Sequence, residues 1–222
     1  ANGGQGAPLV PIFHKALCKI LPCAIVNIGG VSNVSYIKDD NFIGFDMGPG
    51  NALIDDFCKQ NFDLAFDKNG ELASKGKINT VILAQWLNHS FFARPFPKSL
   101  DRNEFATFLD DISAIDKIDA LATLTELTAQ TIALALKEFK PANNCIYITG
   151  GGGKNKFMMD RLHELSGLEI KFVEDLGISS EFMEAYAFGY LATRAHLDLP
   201  ITFPSTTNCQ KPTSGGTFTR AR

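Results

Sequence analysis

The chain has 222 residues, 45% of them hydrophobic, and 21 basic against 24 acidic side chains leave a formal net charge of -3. That size allows one large domain or two small ones around a sizeable core. A near-neutral balance without a dense Lys/Arg block argues against nucleic acid as the main partner, and no apolar run approaches the roughly 18–20 residues of a membrane span.

Ala1-Asn2-Gly3-Gly4-Gln5-Gly6-Ala7-Pro8 opens the chain as a glycine turn without a polar leader. It reads either as a motif continuing from upstream or as a flexible tail. Val10, Phe13, Ala16, Leu17 and Ile20 fall at helical spacing, predicting a helix over 9–21 that Pro22 stops. Three apolar runs follow at 24–28, 34–37 and 42–45, joined by short polar or glycine connections, and predict an antiparallel meander. A helix begins near Asn51, residues 63–78 form a polar loop, and 81–92 is again helical around the sole tryptophan, Trp86. After an irregular, proline-marked stretch at 95–102, the stripe Leu121, Leu124, Leu127, Thr128, Ile132 and Leu136 predicts a long helix over 119–139. Then come a strand at 145–149, a helix at 154–165, a strand at 169–173 and a helix at 180–196. The Thr/Ser/Pro/Gly-rich end at 201–222 is expected to be an extended or mobile tail. A meander followed by alternating helix and strand predicts an α/β, ribonuclease-H-like lobe over 1–200, of the kind that actin-like two-lobe kinases use twice.

The five cysteines, Cys18, Cys23, Cys58, Cys145 and Cys209, show no metal-ligand spacing and sit mostly in apolar runs. They are expected to be reduced core residues of a cytoplasmic protein. His14, His89, His163 and His196 are scattered and read as structural or surface residues.

Phosphoryl transfer to a hydroxyl needs donors for phosphate, a metal on the nucleotide, and a carboxylate to take a proton. Gly29-Gly30, flanked by Asn27 and Asn33, is either a tight hairpin turn or a pair of amides for phosphate oxygens. Asp46 directly follows the third predicted strand, ahead of Gly48-Pro49-Gly50-Asn51, and reads as a catalytic base or as a helix N-cap. Gly150-Gly151-Gly152-Gly153 follows an apolar strand, a setting suited to a nucleotide. Glu184 has more apolar neighbours than Glu181, which reads as a solvated first-turn residue. Lys98 and Arg102 lie where they could meet phosphate, or simply on the surface.

The segments Gly3-Gly4-Gln5-Gly6-Ala7-Pro8-Leu9-Val10-Pro11, Asn27-Ile28-Gly29-Gly30-Val31-Ser32-Asn33-Val34, Gly44-Phe45-Asp46-Met47-Gly48-Pro49-Gly50-Asn51, Pro97-Lys98-Ser99, Thr123-Leu124-Thr125-Glu126-Leu127-Thr128 and Gly150-Gly151-Gly152 occur in order. Together, from the first residue to about Pro200, they resemble the C-terminal part of the anhydro-N-acetylmuramic acid kinases, bacterial enzymes of cell-wall sugar recycling. The resemblance implies that Asp46 is the base, removing a proton from the water that attacks the anomeric carbon. It implies sugar binding by Glu184, with Gly48 and Asn51 of the same motif as Asp46. It places nucleotide phosphates at Asn27, Gly29, Gly30 and Asn33, and the adenosine side at Gly150, Gly151 and Gly152. ATP and Mg2+ are implied, with the metal on the nucleotide and no protein ligand set, and the products would be N-acetylmuramic acid 6-phosphate and ADP.

The resemblance also implies a partner in the family's N-terminal lobe, whose Gly-Thr-Ser-x-Asp-Gly turn and Asp-Phe-Arg stretch do not occur in these 222 residues. The isolated chain is therefore expected to be inactive, and the family allows a homodimer. Leu100-Asp101 stands where the family has Thr-Gly, and the sequence after Pro200 diverges. The competing expectation is an inactive remnant that binds sugar or protein.

Overall fold

A computed structural model describes residues 3–217 and 219 of the chain. Ala1 and Asn2 of the opening motif, and 218 and 220–222 of the tail, lie outside the described residues.

Five strands form one sheet in the order β3-β2-β1-β4-β5. Strands β1 (Cys23–Ile28), β2 (Val31–Lys38) and β3 (Asn41–Pro49) are the antiparallel meander. Strands β4 (Cys145–Thr149) and β5 (Glu169–Phe172) extend it in parallel from β1. This is the α/β topology of a ribonuclease-H-like lobe, as the order of elements predicts.

Because side chains alternate across a strand, β1 feeds two cores. Ala24, Val26 and Ile28 face the larger one, with Val34, Phe45, Ile146 and Ile148 of neighbouring strands. Helices α2 (Ala52–Phe62), α3 (Thr80–Leu87), α4 (Phe108–Asp111), α5 (Lys117–Leu136) and α6 (Lys156–Ser166) belong to this side. Cys23 and Ile25 face the smaller core, which is closed by α1 (Pro11–Leu17) and α7 (Met183–His196) through Phe13, Met183 and Ala187. Each fully buried large apolar side chain contributes roughly 1.5–3 kcal/mol, so the α5 stripe of Leu121, Leu124, Leu127, Ile132 and Leu136 is a principal support of the sheet.

Three helix starts follow the capping chemistry. The Asp116 carboxylate accepts from the amides of Ile118 and Asp119 at the head of α5, Asn79 caps α3, and Asn155 caps α6. Glu126, 1% exposed, is held by Arg161, whose Nε and Nη2 donate to its two oxygens at 2.7 and 2.9 Å. This pair ties α5 to α6.

Several expectations need correction. Helix α1 stops at Leu17, with Cys18 already extended, because Cys18 and Cys23 are joined in a disulfide and the chain reverses between them over a Cα–Cα distance of 6.3 Å. The expectation of five reduced cysteines holds only for Cys58, Cys145 and Cys209, all buried. Strand β3 does not end at Phe45 but runs on to Pro49, so Asp46 lies within it. The pairing of Ser32 with Gly48, beside that of Asn33 with Asp46, carries the strand past a bulge. The tail is also more ordered than its composition suggests. A turn of helix, α8 (Pro204–Thr207), buries Thr206 and Thr207, and an isolated bridge pairs Thr202 with Thr213.

Candidate active site

One ladder level crosses four strands. Asp46 on β3 pairs with Asn33 on β2, Asn33 with Asn27 on β1, and Asn27 with Thr149 on β4. Paired residues point to the same face, and all four line one cleft of about 460 Å³. The cleft opens at the carboxyl end of the parallel strands, the usual ligand position in α/β sheets. Its walls are the segment Gly6–Pro11 and the start of α7, with Ser180, Glu181 and Glu184.

Asp46 is half-buried. Its Oδ2 accepts from the Leu100 amide at 2.8 Å, and its own amide donates to the Lys98 carbonyl at 2.9 Å. Burial raises its pKa from 3.8 to about 6, against the opposing pull of the Leu100 N–H. A carboxylate that loses its proton near pH 6 is ionised at neutral pH, yet is a stronger base than a solvated aspartate.

The β4 turn separates this cleft from a second cavity of about 410 Å³. Gly150 lines the first, whereas Gly151 and Lys154 line the second with Asn51, Asp55, Phe66, Asp67 and Lys68. Gly150 has φ +86°, and a Cβ there would lie 2.6 Å from both Asn27 Oδ1 and the Ile28 carbonyl. Only glycine fits this approach of β4 to β1. Burial, then the nearby Asp56 charge, raises the Asp55 pKa to about 6.

The remaining predicted residues divide between the two sites and the core. Glu184 is exposed at the rim of the first cleft, and Glu181 lies beside it. Asn51 belongs to the second cavity, and its amide donates to the Gly29 carbonyl at 2.7 Å. Gly30 accepts from Gly50 and Ala52, so the Gly29-Gly30 turn is strapped to the start of α2 by its carbonyls. Gly48 is buried, and a Cβ there would meet Thr131 Oγ1 at 2.8 Å. Gly152 packs against Ile28. The structure thus gathers Asp46, Asn33, Asn27, Gly150 and Glu184 around one cleft, sets Asn51 and Gly151 at the other, and packs Gly48 behind the sheet.

Sequence reading missed His14 and Ser35. Both are buried in the cleft wall, with His14 Nδ1 2.8 Å from Ser35 Oγ. Burial lowers the His14 pKa to about 3, so its imidazole is neutral. Ser35 shares a face with Asn33 two residues earlier, and that alternation was the available signal. Lys98 is not at the cleft as a phosphate contact: its ammonium is buried among Phe91 and Phe96. Among the described residues, no group of three or more His, Cys, Asp or Glu is placed to hold a metal, and no helix is long and apolar enough to cross a membrane.

The family model described as anhydro-N-acetylmuramic acid kinase matches residues 1–221. A protein of that name from Rhodopseudomonas palustris (strain ATCC BAA-98 / CGA009) is 46% identical over 228 residues, covering 99% of this chain and 61% of that protein. Its namesake from Nitrobacter winogradskyi is 44% identical, with the same coverage of each chain. The chain therefore spans about three-fifths of the length of the curated relatives it matches. Among solved structures, xylulose kinase from Rhodospirillum rubrum aligns with a TM-score of 0.47 at 10% identity, over 85% of this chain and 50% of that one.

Proposed function

Because the chain belongs to the anhydro-N-acetylmuramic acid kinase family, we propose that it supplies the base-bearing lobe of an ATP-dependent sugar kinase. Water attacks the anomeric carbon of 1,6-anhydro-N-acetylmuramic acid as Asp46 takes its proton. The C1–O6 bond breaks, O6 bonds to the γ-phosphorus, and the bond from that phosphorus to the ADP oxygen breaks. The products are N-acetylmuramic acid 6-phosphate and ADP, and the proton on Asp46 passes to solvent.

The observation that carries this reading is the position of Asp46 in a polar row facing a cleft, with its proton affinity tuned to near neutrality. Asn33 and Asn27 continue the row and can orient the attacking water and a phosphate oxygen. Glu184 at the rim accepts hydrogen bonds from sugar hydroxyls. Gly150 and Gly151, at the divide between the cavities, let the nucleotide approach the backbone, with Asn51 alongside. Mg2+ on the nucleotide would neutralise phosphate charge as it moves to the leaving oxygen.

The reading makes 1–200 the kinase lobe, 201–222 its tail, and the family's N-terminal lobe the partner that closes the cleft. A second copy of the chain is compatible with it. It assigns the protein to the bacterial cytoplasm, where ATP is supplied, although the Cys18–Cys23 bond is of a kind that persists in oxidising compartments. The test is reconstitution of this chain with the N-terminal part of the Rhodopseudomonas relative, followed by an assay for ATP-dependent conversion of the anhydro sugar. Phosphorylated product supports the kinase. A folded complex that binds the sugar and gives no product supports instead an inactive sugar-binding module.

A further inference from the structure

Residues 98–100 reach in three directions. Lys98, 7% exposed, sends its Nζ away from the cleft to donate to the Phe91 and Phe92 carbonyls at 3.0 and 3.2 Å. The same ammonium lies 4.5 Å from the Phe91 ring centroid and 5.5 Å from that of Phe96. Ser99 Oγ lies 3.0 Å from Gln5 Oε1 and 3.2 Å from the Ala7 carbonyl, either of which can accept its one proton, and Ala7 lines the cleft. Leu100 donates its amide to Asp46 Oδ2, while the Lys98 carbonyl receives the Asp46 amide. No carboxylate within ion-pair distance offsets the buried ammonium among the described residues, so carbonyls and aromatic faces hold it. Such a charge is costly to bury, and here the carbonyls and ring faces offset part of that cost.

We infer that Lys98 is a positioning residue for Asp46: its anchored ammonium holds 98–100 against β3, so that the Leu100 N–H and the Lys98 carbonyl together aim the Asp46 carboxylate into the cleft. Lys98 touches neither the cleft nor the reacting atoms; it acts through the backbone on either side of its own side chain. Leu100 serves through its backbone amide, which its side chain does not alter.

The consequence for catalysis rests on the proposed role of Asp46 as base, but the test does not need activity. The Asp46 carboxyl is titrated by carbon-detected NMR in this chain, in Lys98→Met and in Lys98→Arg. Methionine keeps length and apolar packing and removes the charge; arginine restores it. The Leu100 N–H lowers the Asp46 pKa, so freeing the segment should raise the proton affinity of Asp46 about tenfold in Lys98→Met, with most of the change reversed in Lys98→Arg. In the unmodified chain the Leu100 amide resonance should move with the Asp46 titration. A folded Lys98→Met chain with an unmoved Asp46 titration overturns the inference. Should Lys98→Met not fold, a Leu100 amide that ignores Asp46 in the unmodified chain does the same. The two readings fail separately. Full turnover by an Asp46→Asn enzyme removes the base and leaves the titration standing; an unmoved titration removes the Lys98 link and leaves the base standing.

Discussion

Asn33 and Asp46 face each other at a point where the β2–β3 ladder slips, and both side chains open onto the same cleft. Beside the bulge, Asp46 is paired with an amide side chain of a kind that can orient a water molecule. Asp46→Asn keeps an acceptor for the Leu100 amide and removes the proposed base. In the reconstituted enzyme it should lower kcat about 10²- to 10⁴-fold while ATP affinity by calorimetry stays the same. Undiminished turnover would take the base role from Asp46.

The pKa of about 6 sets two pH dependences. The base must be ionised, so kcat/KM should fall about tenfold per pH unit below 6 and level off above it. Stability runs the other way. The folded-state pKa lies above the ordinary 3.8, so the folded state holds this proton more tightly than the unfolded chain does. The stabilisation is fully present below about pH 4 and is lost as pH rises through about 6. Asp46→Asn should therefore be more stable than the parent chain at pH 8, by on the order of 2 kcal/mol, and equal to it at pH 3. Thermal melts at the two pH values read the difference directly; a variant less stable at pH 8 would contradict it.

Gly150→Ala puts a Cβ against Asn27 and the Ile28 carbonyl at a positive φ. Both strain and displacement follow, with a cost of about 2–3 kcal/mol. Because Gly150 lies where the two cavities meet, nucleotide and sugar affinities should weaken together. Calorimetry that finds either ligand unaffected would separate the turn from that cavity.

Removing Arg161 leaves the Glu126 carboxylate buried with Gln130 as its remaining side-chain partner. Arg161→Met should cost about 3 kcal/mol in urea unfolding. Adding Glu126→Gln should recover a good part of it, since no charge then remains to be solvated. A double variant as unstable as the single one would show that packing, not charge, sets the cost.

Glu184→Gln keeps the shape of a rim residue and weakens the hydrogen bonds proposed for it with sugar hydroxyls. KM for the anhydro sugar in the reconstituted enzyme should rise about tenfold with KM for ATP unchanged. A change confined to ATP would move Glu184 to the nucleotide side.

The sheet was legible because its strands alternate or run apolar between clear turns, and α5 because its stripe continues for about four turns. Motif and resemblance single out Asp46 and Glu184, and the structure places both on the lining of one cleft. What escaped depends on contacts distant in sequence. His14 joins Ser35 across 21 positions, and no spacing rule links a helix residue to a strand residue that far away. Lys98 reads as a surface cation, because burial among Phe91 and Phe96 depends on how the aromatic cluster folds back on itself. The division of the glycine turns between two cavities and the core was equally hidden. Composition marks Gly48 and Gly150 alike, yet one packs on Thr131 and the other lines the cleft.

The row Asp46, Asn33, Asn27 and Thr149 draws one member from each of four hydrogen-bonded strands. Sliding any strand would break a ladder as well as misplace a member of the row, so this floor behaves as a fixed anvil. In the proposed catalytic cycle, motion would fall to what is not stitched into the sheet: the Gly6–Pro11 edge and the head of α7.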